Sequence, residues 1–202
     1  MAAVRSVCQG NNGSEMLRNT KQLTEELLAY KDEPAENMIL HQVQIVRSQD
    51  QLHRTIVPFC FRFASEDRCR AAMLYWIYGL IVHSLAIKLA TTVPMDHVSW
   101  LDVGAIRVAQ TRNITNLLMS WDAAKAGSIY GFLDLTQACL AIWAALQTLD
   151  IPTFHGKSVS DIKMGILPAM HGSFMFWDRP ATAEAMDLVA DTLLGGPVQH
   201  LT

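Results

Sequence analysis

"AAMLYWIYGLIV", residues 71–82, carries no charge, and on a helical wheel its apolar side chains surround the axis. A helix with no wet face must be enclosed, either by other helices or by lipid. Ser65 supplies an N-cap upstream, and Glu66 and Asp67 fall in the first turn, where the helix dipole favours negative charge. The segment therefore reads as one long helix from Ser65 to about Thr91.

A second such rod follows. "SIYGFLDLTQACLAIWAALQTLD", residues 128–150, shows only Asp134, Gln137 and Thr148 on a thin stripe, with the small Ala141 and Ala144 between them. Residues 71–93 are long enough for a bilayer, but His83 and Lys88 lie in their second half, and the other rod would carry Asp134 into lipid. Each buried charge costs roughly 2.5 to 3.5 kcal/mol on insertion scales, so burial against amphipathic neighbours is the cheaper outcome and no membrane span is expected.

Those neighbours are legible on both sides. Residues 1–18, with Gly10 and Gly13 and no apolar period, read as a loose arm. Leu23, Leu27 and Tyr30 share a face of a short helix closed before Pro34. "ENMILHQVQIVRSQDQLHR", residues 36–54, is read as a helix through Ile39, Val43 and Val46, although "HQVQIV" also alternates as a strand does. In "TIVPFCFRF" Pro58 lacks an amide donor, which leaves an extended connector or an edge strand.

"HVSWLDVGAIRVAQ", residues 97–110, is a short helix after Asp96 or Ser99. "NITNLLMSWDAAKA" is a separate one, with Ile114, Leu117, Leu118 and Trp121 on one face and Gly127 as its stop. A helix after Ser160 is expected to break near Pro168. The last helix, 181–194, has Met186, Val189, Ala190 and Leu193 inside, Glu184, Asp187 and Asp191 outside, and "GGP" beyond its end.

The chain has 202 residues, half of them apolar, 17% charged, with ten methionines and five tryptophans. One domain, residues 19–202, is the expectation: an all-α, single-domain bundle of about seven or eight helices around two buried apolar helices, 71–91 and 128–149. Trp76, Trp121 and Trp143 read as core fillers. Cys8, Cys60, Cys69 and Cys139 form no C-x-x-C pair and read as reduced, buried thiols. With no apolar run at the start resembling a signal peptide, a cytoplasmic location is expected.

No Walker loop, G-x-S-x-G elbow, H-E-x-x-H or G-x-G-x-x-G occurs. Asp96, His97 and Asp102 could make an acid–base group, and "FHGKS" and "MHGS" each place a serine soon after a histidine, but Asp96 is better explained as a cap. His83, near Ser84 and Lys88, reads as a core-edge histidine. No enzyme activity, metal or cofactor is expected, nor a small-molecule substrate.

Charge is unevenly spread although the whole chain has a formal net charge of −3. Residues 47–112 hold eight cations against five acids, and seven of the eight are arginine: Arg47, Arg54, Arg62, Arg68, Arg70, Arg107 and Arg112. Planar guanidinium forks suit bidentate phosphate recognition and stack on rings. Arg54, Arg62, Arg68 and Arg70, interleaved with Phe59, Phe61 and Phe63, have both ingredients of a sequence-tolerant single-strand binder, with Phe61 as the stacking ring. Against this stand Glu66 and Asp67, which could pair with Arg68 and Arg70, and the tendency of alternate phenylalanines to plug a core.

The acidic stripe Glu184, Asp187 and Asp191 could meet the arginine segment of another copy, a heterologous contact that builds rings or filaments. The leading expectation is therefore a non-enzymatic, self-assembling homo-oligomer, coat or nucleocapsid-like, that coats single-stranded nucleic acid. The alternative is a helical interaction module that docks a partner helix in a groove of Met164, Met170 and Met175, and an enzyme of unknown class is the third reading.

Overall fold

The computed structural model describes residues 21–22, 25–26, 33–51, 53–92, 99–127, 129–173 and 181–196, and these are mostly helical, as an all-α class requires. The expected N-terminal arm and the cap at Asp96 lie outside the described residues.

Helix α1, Glu33–His41, begins on the residue before Pro34, so the proline sits in the first turn, where its missing N–H has no partner to lose. The helix expected through residue 54 stops here. The alternation in "QVQIVR" becomes strand β1, Gln44–Arg47, paired antiparallel with β2, Phe59–Arg62. The register sets Gln44 against Arg62, Ile45 against Phe61, Val46 against Cys60 and Arg47 against Phe59. In a two-stranded sheet both strands are edges, which is why Pro58 is tolerated immediately before β2. The connector carries a single 3-10 turn, His53–Thr55.

Helix α2 runs Glu66–Thr92, and the Ser65 hydroxyl accepts from the Arg68 amide at 3.4 Å, the cap its sequence calls for. Ala72, Met73, Trp76, Ile77, Leu80 and Ile87 are buried, but Tyr78 is 62% exposed and Leu74, Ile81, Val82 and Leu85 are only half-buried. The helix is thus enclosed on one side and not all round. It is long and apolar enough to cross a membrane by length and composition, with half of its most apolar window buried inside the protein.

Helix α3, Val103–Met119, is capped by Asp102, whose carboxylate accepts from the Ala105 amide at 2.9 Å. The two helices expected between 97 and 126 have a different boundary. The break falls at Ser120, whose hydroxyl donates back to the Asn116 carbonyl at 2.8 Å, and α4, Trp121–Ala126, follows at once and ends at Gly127. Helix α5, Ile129–Thr148, is the second apolar rod. A tight hairpin joins β3, Thr153–Phe154, to β4, Lys157–Ser158, through His155 and Gly156, both with positive φ, the combination that matches strand twist in a two-residue turn.

Helix α6, Val159–Ser173, runs through Pro168 instead of breaking there; the ring lies on the exposed side, and Ile166, Leu167 and Met170 are buried. Helix α7, Ala183–Leu193, is capped by Thr182 and buries Met186 and Ala190.

The main core joins α2 and α5, with Trp76, Leu117, Leu118, Cys139, Ile142, Trp143 and Ile162 among its members, and α3, α4, α6 and α7 packed around them. Trp76, Trp121 and Trp143 are core fillers, and Cys60, Cys69 and Cys139 are buried free thiols; burial pushes Cys69 and Cys139 up to about 12. A polar seam crosses the core where Gln110 Nε2 donates to Ser84 Oγ at 3.0 Å and Thr148 Oγ1 at 2.8 Å. That network links α3 to both apolar rods.

Candidate functional site

A cleft of about 640 Å³ opens between the β1–β2 hairpin, the first turns of α2 and helix α4. Val46, Cys60, Phe61, Phe63, Cys69 and Ala123 supply apolar wall, and the charged groups are Arg47, Arg62 and Lys125 against Asp50, Glu66 and Asp122. The hairpin is there because period-two residues paired. Helix α4 is there because Ser120 restarted the helix.

The connector between the strands is fastened to α4 by two carboxylates. Asp122 accepts from the Gln49 amide at 2.7 Å and from the Ser48 hydroxyl at 3.0 Å to either oxygen. Asp50 accepts from the His53 amide at 2.9 Å and pairs with Lys125 at 2.6 Å. His53, 1% exposed, lies parallel to the Trp121 ring with centroids 5.4 Å apart. Burial pulls its pKa below the usual histidine range, with Asp122 and the Leu118 carbonyl opposing.

Ser48, His53 and Asp122 invite comparison with a nucleophile relay, and the order is wrong for one. Ser48 Oγ touches His53 Nδ1 at 3.2 Å and the carboxylate as well, so the hydroxyl bridges ring and acid where a relay needs the ring between the other two. Ser48 is also buried. Cys60 is no better, since burial raises its thiol to about 11, with Asp122 adding to the effect. The group is a structural tie.

The arginines expected to grip phosphate are separated by the fold. Arg62 is exposed at the end of β2 and lines the cleft; Arg68 is exposed on the first turn of α2. Arg54 is exposed on the 3-10 turn, with Nη2 donating to the Gln49 carbonyl at 3.2 Å. Arg70 instead turns to the buried Asp134 at 3.4 Å. That carboxylate is held above its ordinary range by burial, against the pull of Arg70.

Phe61 requires correction as a stacking ring. It is 4% exposed and packs on Trp76 at 5.9 Å and Phe63 at 6.0 Å, whereas Phe59 is 51% exposed. Arg47, absent from the expected set, lines the cleft and is the cross-strand neighbour of Phe59. Reading "QVQIVR" as a strand would have put Arg47 in the hairpin, but not beside Phe59 or at the cleft.

The acidic stripe of α7 is not a uniform free face. Asp187 accepts from Trp143 Nε1 at 2.7 Å, Lys163 Nζ at 2.9 Å and Gln147 Nε2 at 3.0 Å, and although burial raises its pKa, these three bonds together bring it below the usual value. Asp191 is half-buried beside Gly196, and Glu184 is exposed. Met170 is buried in the core and Met164 exposed, so these two do not share a groove; Met175 lies outside the described residues.

The acid–base and serine candidates have structural places. Asp102 is the cap of α3; His97 lies outside the described residues. In "FHGKS" Ser158 Oγ accepts from the Asp161 amide at 3.0 Å while Asp161 accepts from the Ser158 amide at 3.2 Å, a reciprocal cap for α6. The side chains of 171–173 in "MHGS" lie outside the described residues. His83 sits between α2 and α3, its Nδ1 3.4 Å from Asn113 Nδ2, and burial with help from Arg112 lowers it to about 4. Among the described residues no three His, Cys, Asp or Glu side chains converge as metal ligands.

Comparisons with protein-family models, with curated proteins and with solved structures find no match to this chain.

Proposed function

We propose that this protein binds single-stranded nucleic acid along the β1–β2 hairpin and the cleft beneath it, as a non-enzymatic, self-associating coat-like protein built as one helical bundle around α2 and α5. The observation that carries the reading is the pairing of Arg47 with Phe59: an exposed guanidinium at the cleft beside an exposed ring, the cation and stacking platform that sequence-tolerant binding uses. Arg62 on β2, opposite Gln44, and Arg54 on the connector are further exposed guanidiniums of the same segment.

The cleft acids do not cancel these cations equally. Asp50 is engaged by Lys125, and Asp122 by donors from the connector, which leaves Arg47 and Arg62 facing solvent. Self-association is better attributed to exposed apolar side chains such as Tyr78 and Val108 than to the α7 stripe, because Asp187 is committed within its own chain.

The test is fluorescence anisotropy of a labelled single-stranded oligonucleotide across a salt series. The Arg47→Ala, Arg62→Ala double variant should bind at least about tenfold more weakly at low salt, and the slope of log K against log salt should shrink by about 1.4, two phosphate contacts for a single strand. Wild-type affinity in a folded double variant would remove the assignment. Light scattering with and without oligonucleotide reads the assembly.

A further inference from the structure

The cleft is lined by three cations and three carboxylates, so its formal charge is zero. Attraction of phosphate alone is therefore partly offset inside the cleft. The better match is a ligand with a negative group at one end and hydrogen-bond donors at the other.

The carboxylates are not equivalent. Asp50 has Lys125 at 2.6 Å, while Glu66 and Asp122 both stand in the first turn of a helix, where the dipole favours them. Asp122 has no Lys or Arg ion pair among those of the described residues; its nearest basic group is His53 Nδ1 at 3.7 Å, in a ring that burial disfavours charging. Its donors are neutral: the Ser48 hydroxyl, 3.0 Å from both oxygens, and the Gln49 amide. An ionised carboxylate offers about four acceptor positions, so about one remains open, on a side chain 17% exposed in the wall of the cleft. The same cleft is lined by the apolar Val46, Phe63 and Ala123, surfaces that suit a flat ring.

Resting on the nucleic-acid reading above, we infer that the cleft takes one base of the bound strand, phosphate on Arg47 and Arg62 and an exocyclic amine donated to the Asp122 carboxylate. Amino-bearing bases are therefore preferred to uracil, whose one N–H is flanked by two carbonyl oxygens that an anion repels. Cytosine and uracil are the same size, so the pair isolates the amine.

The experiment compares anisotropy binding of labelled oligocytidylate and oligouridylate of equal length to the full chain at one fixed salt concentration. Cytidylate should bind about tenfold more tightly, the discrimination of one good base contact. The preference should vanish for an oligonucleotide of N4,N4-dimethylcytosine, which keeps the ring and loses both donors, and in Asp122→Asn. Should that variant fail to fold by circular dichroism, the modified oligonucleotide decides alone. Equal affinity for the two homopolymers, or tighter binding of uridylate, overturns the base pocket and leaves phosphate binding standing. No binding of either strand overturns both.

Discussion

His83 shows how much a single residue's meaning depends on what surrounds it. In the sequence it follows an apolar run as one polar interruption; in the fold it faces Asn113 and Arg112 across the α2–α3 contact, and it protonates only near 4. In the unfolded chain the ring would bind its proton near 6.5. Between those values the unfolded state holds more protons, so stability falls as pH drops from 6.5 toward 4, by at most about 1.4 kcal/mol per pH unit from this group. His53 acts in the same direction, and Asp134, whose carboxyl is raised, acts in the opposite one. Urea unfolding of His83→Gln at pH 6.5 and pH 4 should lose roughly 2 to 3 kcal/mol less than wild type over that interval. An identical pH slope in both proteins would mean the ring is hydrated in the native state. The core-edge reading of His83 needed only its neighbours in sequence, while the site role of His53 needed Asp122 and Trp121, far along the chain.

Among elements, the caps were legible and the boundaries less so. Ser65 is where local chemistry calls for a helix start, because an N-cap depends on residues within one turn. Gly127 likewise ends α4. The break at Ser120 was not legible: a serine returning its hydroxyl to Asn116 looks the same in sequence whether the helix continues or restarts. The restart matters because it sets α4 against α5 at close range. A Cβ on Gly131 would lie 2.5 Å from the Ala124 carbonyl oxygen, a backbone atom that cannot swing aside. Alanine is the better helix former by about 1 kcal/mol, but a clash with fixed backbone costs about 1 to 3 kcal/mol, so the net is a loss of up to about 2 kcal/mol. Gly131→Ala is therefore expected to lower the urea midpoint, and a raised midpoint would show that α4 and α5 can separate freely.

For the molecule as a whole, one exposed carboxylate ties three helices. Asp187 on α7 receives Trp143 from α5 and Lys163 from α6, and Lys163 also sits 4.8 Å above the Trp143 ring. Asp187→Ala leaves a buried indole N–H without its acceptor, and the expected loss is about 1 to 3 kcal/mol in urea unfolding, larger than for an ordinary surface acid. A change within about 0.5 kcal/mol would mean water replaces the carboxylate at no cost.

The mostly helical character, the two apolar rods and the buried tryptophans and thiols follow from the sequence by itself, because periodicity and capping are local and a chain half apolar must bury much of that surface. Only the tertiary structure decided that Phe61 faces the core and Phe59 the solvent, that Arg70 and Asp187 are engaged within the chain, and that Arg47 stands at a cleft with Asp122. Those outcomes depend on which distant segment each side chain meets: Phe59 and Phe61 share a face of β2, and Phe61 is the one that packs on Trp76.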